Sequence, residues 1–183
     1  MAARMMFDGR DDSDSTFVVG ARYTPDGKNR CAGTLIAPSL VLTSAHCLFA
    51  QVQARIYQFT PIQYVSIGST NKNGTDDGEQ IRVVKNVVHP DYKYNAFNWS
   101  TTYDFGLLVL EQPSEFNPIA LDFSYFSSES DTTGNVYGYP NSTRQVESVH
   151  FLDQDACKNI YTQLNETNLC TQSATKNKCA YES

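Results

Sequence analysis

The sequence has no apolar run near the ~18 residues of a membrane span, and its mean hydropathy is -0.41. A membrane-crossing helix is therefore not expected. It has no basic cluster either. Lys and Arg total 14 against 20 Asp and Glu, which gives a net charge of -6 and a pI near 4.9. An acidic chain without a basic patch is a poor partner for nucleic acid and for anionic membrane surfaces. Internal repeats, low-complexity tracts and heptads are absent as well. What is present is ordinary globular material. Hydrophobic residues make up 40% and charged residues 19% of 183. That supplies a core for one or two packed domains and too little net charge for a disordered tail.

The cysteines say where such a chain works. There are five: Cys31, Cys47, Cys157, Cys170 and Cys179. No pair has Cys-x-x-Cys spacing, and no His stands where it would complete a zinc finger. Disulfides are expected rather than metal ligation, and disulfides belong to an oxidising compartment. Asn-x-Ser/Thr sequons begin at Asn73, Asn98, Asn141 and Asn165 and agree with an extracellular location. The segment Met1-Ala2-Ala3-Arg4-Met5-Met6 has no apolar h-region and is not a secretory signal peptide.

Short β-like runs recur along the chain. They are Phe17 to Tyr23, Thr34 to Ile36, Leu40 to Thr43, Tyr64 to Ile67, Ile81 to Val88, Phe105 to Leu110, Asn135 to Tyr139 and Val146 to Leu152. Pro25-Asp26-Gly27, Asn73-Gly74 and Asp76-Asp77-Gly78 mark turns between them. This pattern predicts an all-β sandwich or barrel. Helical signals are few. Asp153 is placed to cap a short helix from Gln154 to about Tyr161, and Ala45-His46-Cys47-Leu48 reads as a turn. A seam at Glu111-Gln112-Pro113-Ser114 suggests a boundary.

Three stretches carry chemistry. In the first, Cys31-Ala32-Gly33-Thr34-Leu35-Ile36-Ala37-Pro38-Ser39-Leu40-Val41-Leu42-Thr43-Ser44-Ala45-His46-Cys47, two strands of small and branched residues end in a His beside a Cys. A Cys31–Cys47 disulfide would staple this hairpin and hold His46 at its end. The stretch closely resembles the signature of the chymotrypsin and trypsin family of serine proteases. The resemblance implies that His46 is the catalytic base and that Cys31 pairs with Cys47. In the second, Tyr103-Asp104-Phe105-Gly106-Leu107-Leu108-Val109-Leu110, an Asp opens a very apolar strand. A buried carboxylate needs a partner, and a His supplies one. The placement is similar to the family's Asp-Ile-Ala-Leu-Leu, which makes Asp104 the residue that orients the base. Asp104-Phe105-Gly106 also mimics a kinase metal-binding tripeptide. No Gly-rich loop, strand lysine or His-Arg-Asp segment accompanies it, so that reading is rejected.

The third stretch is Asn168-Leu169-Cys170 followed by Cys179-Ala180-Tyr181-Glu182-Ser183. Its cysteine spacing resembles that of the family's Cys-x-Gly-Asp-Ser-Gly-Gly-Pro. By that resemblance Ser183 is the nucleophile, and His46, Asp104 and Ser183 stand in chymotrypsin order. The N–H groups of Tyr181 and Ser183 would form the oxyanion hole. Asp155-Ala156-Cys157-Lys158-Asn159 resembles the segment whose cysteine pairs with the counterpart of Cys170, which leaves Cys179 unpaired. Gly138-Tyr139 looks like the family's Gly-Trp. Asn177, six positions before Ser183, falls where trypsin-like members carry an Asp in the specificity pocket. It lacks that charge, and Lys176 and Lys178 flank it, so a preference for basic side chains is not expected.

The sequence departs from the family at several points. Tyr181 replaces the usual Gly and Glu182 the usual Asp. Met6-Phe7-Asp8-Gly9, with Arg4 before it, is the nearest match to the family's Ile-Val-Gly-Gly. The resemblance runs to Ser183 and the family's further strands do not follow, so a chain truncated at the nucleophile is expected. A terminal carboxylate beside a developing oxyanion would oppose catalysis.

The resemblance implies two six-stranded antiparallel Greek-key barrels of the chymotrypsin type, the second incomplete. Residues 1–112 would form the first, carrying His46 and Asp104, and residues 113–183 the partial second. The implied function is a secreted serine endopeptidase, expected to be inactive in turnover in this truncated form, acting on protein or peptide substrates with no cofactor or metal, as a monomer. The rival is a non-catalytic binding or inhibitor protein. It would resemble the secreted glucanase inhibitor proteins, which share this fold and have lost their triads.

Overall fold

A computed structural model describes residues 9–54, 56–95, 100–122, 133–160, 168–174 and 179–180. In chain order the strands are β1 (Arg10–Asp11), β2 (Val18–Arg22), β3 (Cys31–Ala37), β4 (Leu40–Thr43), β5 (Phe49–Gln53), β6 (Ile56–Phe59), β7 (Tyr64–Ile67) and β8 (Glu79–Val88). They continue with β9 (Lys93–Asn95), β10 (Ser100–Thr102), β11 (Gly106–Leu110), β12 (Thr133–Gly138), β13 (Gln145–Leu152), β14 (Cys170–Ser173) and β15 (Cys179–Ala180). A 3-10 turn spans Ala45–Leu48, and one α-helix, α1, spans Gln154–Ile160.

The molecule is all-β in its main architecture. Strands β11, β4, β3, β2, β7 and β8 pair antiparallel in that order, and β8 returns to β11 to close a barrel. The alternation of apolar residues explains which side chains fill it. Along β11, Gly106, Leu108 and Leu110 are buried, while Leu107 and Val109 are only partly covered. Strand β8 turns Ile81 and Val83 inward, and β7 adds Val65 and Ile67. Val19, Leu35 and Val41 complete the packing from β2, β3 and β4. Burying each such side chain is worth about 1.5–3 kcal/mol.

Tight turns allow the strands to close. The N–H of Gly27 donates to the carbonyl of Thr24 at 3.2 Å, around Pro25 and Asp26. Gly78 has φ +70, and a Cβ there would lie 2.4 Å from the Ile67 carbonyl oxygen, so glycine is required.

A second sheet is organised on β13. Strand β12 pairs with it from Thr133↔His150 to Gly138↔Gln145. Strand β14 pairs with its C-terminal half, β15 follows β14, and β1 pairs at Val146 and Gln145. Helix α1 begins where Asp153 Oδ1 accepts the N–H of Ala156 at 2.6 Å, the expected cap.

Polar and aromatic contacts seat this sheet on the barrel. Phe17 meets Tyr137 edge-on at 5.4 Å between ring centroids. The Tyr139 hydroxyl donates to the Ser69 carbonyl at 2.7 Å, and burial pushes its phenol up to about 12, so it remains a donor. Arg144 is fully buried. Its Nε lies 2.9 Å from Asp12 Oδ2, and its Nη1 donates to the Ser69 carbonyl at 3.2 Å.

Every strand expected from the sequence is present; β4 and β7 have the expected ends, and the others differ by at most three residues. The β5–β6 and β9–β10 hairpins and the short β1, β14 and β15 were not expected.

Candidate active site

The site follows from one strand pairing. Thr43, the last residue of β4, lies opposite Gly106, the first of β11. The segment leaving β4 and the segment arriving at β11 therefore meet at the same end of the barrel. The first carries the 3-10 turn with His46, and the second carries Asp104. Residues 58 apart in sequence become neighbours.

Their geometry is a two-point grip. Asp104 Oδ1 accepts the backbone N–H of His46 at 2.8 Å, and Oδ2 lies 2.7 Å from His46 Nδ1. The Asp104 side chain is 6% exposed and the His46 side chain 45% exposed. A carboxylate at Nδ1 keeps the proton on that nitrogen, which leaves Nε2 as the basic atom. The carboxylate is thus buried, and the imidazole is open to solvent.

A disulfide joins Cys31 to Cys47 and fastens the 3-10 turn to the start of β3. His46 Nε2 lies 3.7 Å from Cys47 Sγ. The Sγ and ring nitrogen atoms of Cys31, His46 and Cys47 lie within 4.8 Å of one another. The sulfurs are bonded to each other, so they are not the thiolates that bind metal. A second disulfide joins Cys157 of α1 to Cys170 of β14.

One aromatic residue, Tyr92, lies near the carboxylate. Tyr92 stacks on Phe49, with ring centroids 5.6 Å apart. Burial, and then the nearby Asp104 charge, push its phenol far up. Tyr103 precedes Asp104 with a left-handed backbone, φ 51, and stacks on His89 at 5.0 Å. Sequence reading had assigned no role to Tyr92, Tyr103 or His89. A His-Pro pair closing the long alternating run of β8 was the one available signal.

Asn73 and Asn141 lie at exposed positions. Cys179 stands in β15 opposite Gln172, and its pairing lies outside the described residues. Ser183, Tyr181, Asn177, Asn98 and Asn165 also lie outside them.

The fold and site together are a closed antiparallel barrel with a half-exposed histidine held by a buried carboxylate at one end. The family model named Trypsin matches residues 8–183, and the chain belongs to the trypsin family. It is 33% identical over 168 residues to glucanase inhibitor protein 3 of Phytophthora infestans, covering 85% of this chain and 59% of that protein. To glucanase inhibitor protein 1 of the same organism it is 34% identical over 172 residues, covering 87% and 60%. To a trypsin of Saccharopolyspora erythraea it is 32% identical over 163 residues, covering 81% and 63%. The chain thus spans between 59% and 63% of the length of these relatives.

Proposed function

We propose that this chain carries the chemistry of a secreted serine endopeptidase. The observation that carries the reading is the grip of Asp104 on both the backbone N–H and Nδ1 of His46. On this reading Ser183 Oγ attacks the peptide carbonyl and His46 Nε2 takes its proton. The same nitrogen then gives the proton to the leaving amine, and water hydrolyses the acyl-enzyme. Asp104 holds the imidazole and stabilises its charged form. The N–H groups of Tyr181 and Ser183 receive the oxyanion. Residues 1–112 supply the base and its orienter, and residues 113–183 deliver the nucleophile. Two disulfides support an extracellular setting.

A fluorophosphonate probe tests this. The expected result is a covalent adduct mapped to Ser183 and absent from His46→Ala. An unlabelled, folded chain would overturn the reading.

The names of several relatives favour a second reading, a binding protein directed at a glucanase. It predicts inhibition of a glucanase that persists undiminished in His46→Ala and Asp104→Asn. The endopeptidase reading predicts no such inhibition.

A further inference from the structure

We propose that Tyr103, braced by His89, is the positioning residue that sets Asp104 against His46. This rests on the reading of Asp104 as the group that orients His46. Tyr103 is the only non-glycine with positive φ among the described residues. A bulky aromatic in that region is uncommon and strained, and it persists where surrounding structure holds it.

The holding structure is visible. The Tyr103 ring lies nearly flat on the His89 imidazole, with centroids 5.0 Å apart and planes 6° apart. The His89 ring is itself fixed, because its Nδ1 accepts the N–H of Asp91 at 3.2 Å. The backbone closes the arrangement. The Phe105 N–H donates to the Tyr103 carbonyl at 2.8 Å, making a tight turn centred on Asp104. The His89 N–H donates to the Phe105 carbonyl at 3.0 Å and ties that turn to the end of β8. Phe105 adds an edge contact to His89 at 6.5 Å.

The residues on either side of Asp104 are therefore both anchored to His89. The left-handed step at Tyr103 turns the chain just before the carboxylate. Without the stack, the relaxed backbone would swing Asp104 away from one or both of its His46 contacts. His89 and Tyr103 act through Asp104.

The test is proton NMR of the full chain, following the downfield Nδ1–H resonance of His46, assigned by its loss in Asp104→Asn. Tyr103→Phe keeps the ring and should keep the resonance. Tyr103→Ala and His89→Ala remove the stack from opposite sides, and each should lose or broaden it while the barrel amides of Val41 and Leu108 stay in place. Tyr103→Leu keeps bulk without the flat stack and should behave like Tyr103→Ala. If Tyr103→Ala fails to fold, His89→Ala and Tyr103→Leu give the same answer. Retention of the resonance in the folded variants overturns the proposal.

Labelling at Ser183 separates this from the protease reading. Absent labelling in the wild-type chain, with a resonance that still responds to the stack, overturns the protease and leaves the positioning role standing. Normal labelling with an unresponsive resonance does the reverse.

Discussion

Asp104 uses both carboxylate oxygens on one residue, one on the backbone N–H and one at Nδ1 of His46. Replacing it with Asn keeps the shape and loses the charge. The amide then favours the wrong imidazole tautomer, so any turnover by the wild-type protein should fall by about 10³–10⁴-fold in Asp104→Asn. Steady-state hydrolysis of a peptide substrate, with circular dichroism to confirm the fold, checks this. Asp77 is a different kind of carboxylate. Burial pushes its value up. Hydrogen bonds from the Ser69 hydroxyl and from the Thr70 N–H and hydroxyl outweigh that and hold it below its ordinary value. A depressed folded-state value means that its stabilisation is fully present above the ordinary carboxylate range, around pH 4, and is lost as pH falls through the folded value. Denaturation followed against pH should show Asp77→Asn losing part of the acid-dependent fall in stability. His46 and Asp104 were legible in the sequence because the stretches that hold them resemble the trypsin family's signatures. The left-handed angle at Tyr103 was not, because nothing in a tyrosine codes for it.

Elements with a buried face were legible for the same reason. Strand β11 alternates buried and half-buried residues, and Leu108 at its centre is fully buried. Leu108→Ala should cost about 2–5 kcal/mol in chemical denaturation. It should also weaken the pairing with β4 that brings Asp104 to His46. The β5–β6 hairpin gave no such signal. Most of its residues are exposed, Val52 and Ile56 among them. Edge contacts between Phe49 and Phe59 and between Tyr57 and Tyr94 hold it instead. Strands of two residues, β1 and β15, are too short to show any period. Helix α1 was legible from one residue, the Asp153 cap.

At the scale of the whole molecule, a buried pair, Arg144 and Asp12, ties the N-terminal segment to the second sheet, and the same guanidinium reaches the Ser69 carbonyl beside the barrel. Arg144 and Asp12 are 132 positions apart, so no local pattern could announce them. Removing one member leaves a charge buried without its partner. Asp12→Ala should therefore lower stability by about 3–5 kcal/mol, measured by thermal or chemical denaturation, and should loosen β1 from β13 first. Hydrogen exchange at Asp11 and Val146 would report that loosening. The proposed function also requires Ser183 of the last segment to reach His46 of the barrel. The direct measurement is the pre-steady-state burst with an activated p-nitrophenyl ester. The expected result is a burst that is lost in Ser183→Ala and in His46→Ala. A folded wild-type chain without a burst, or a burst that survives Ser183→Ala, would contradict it.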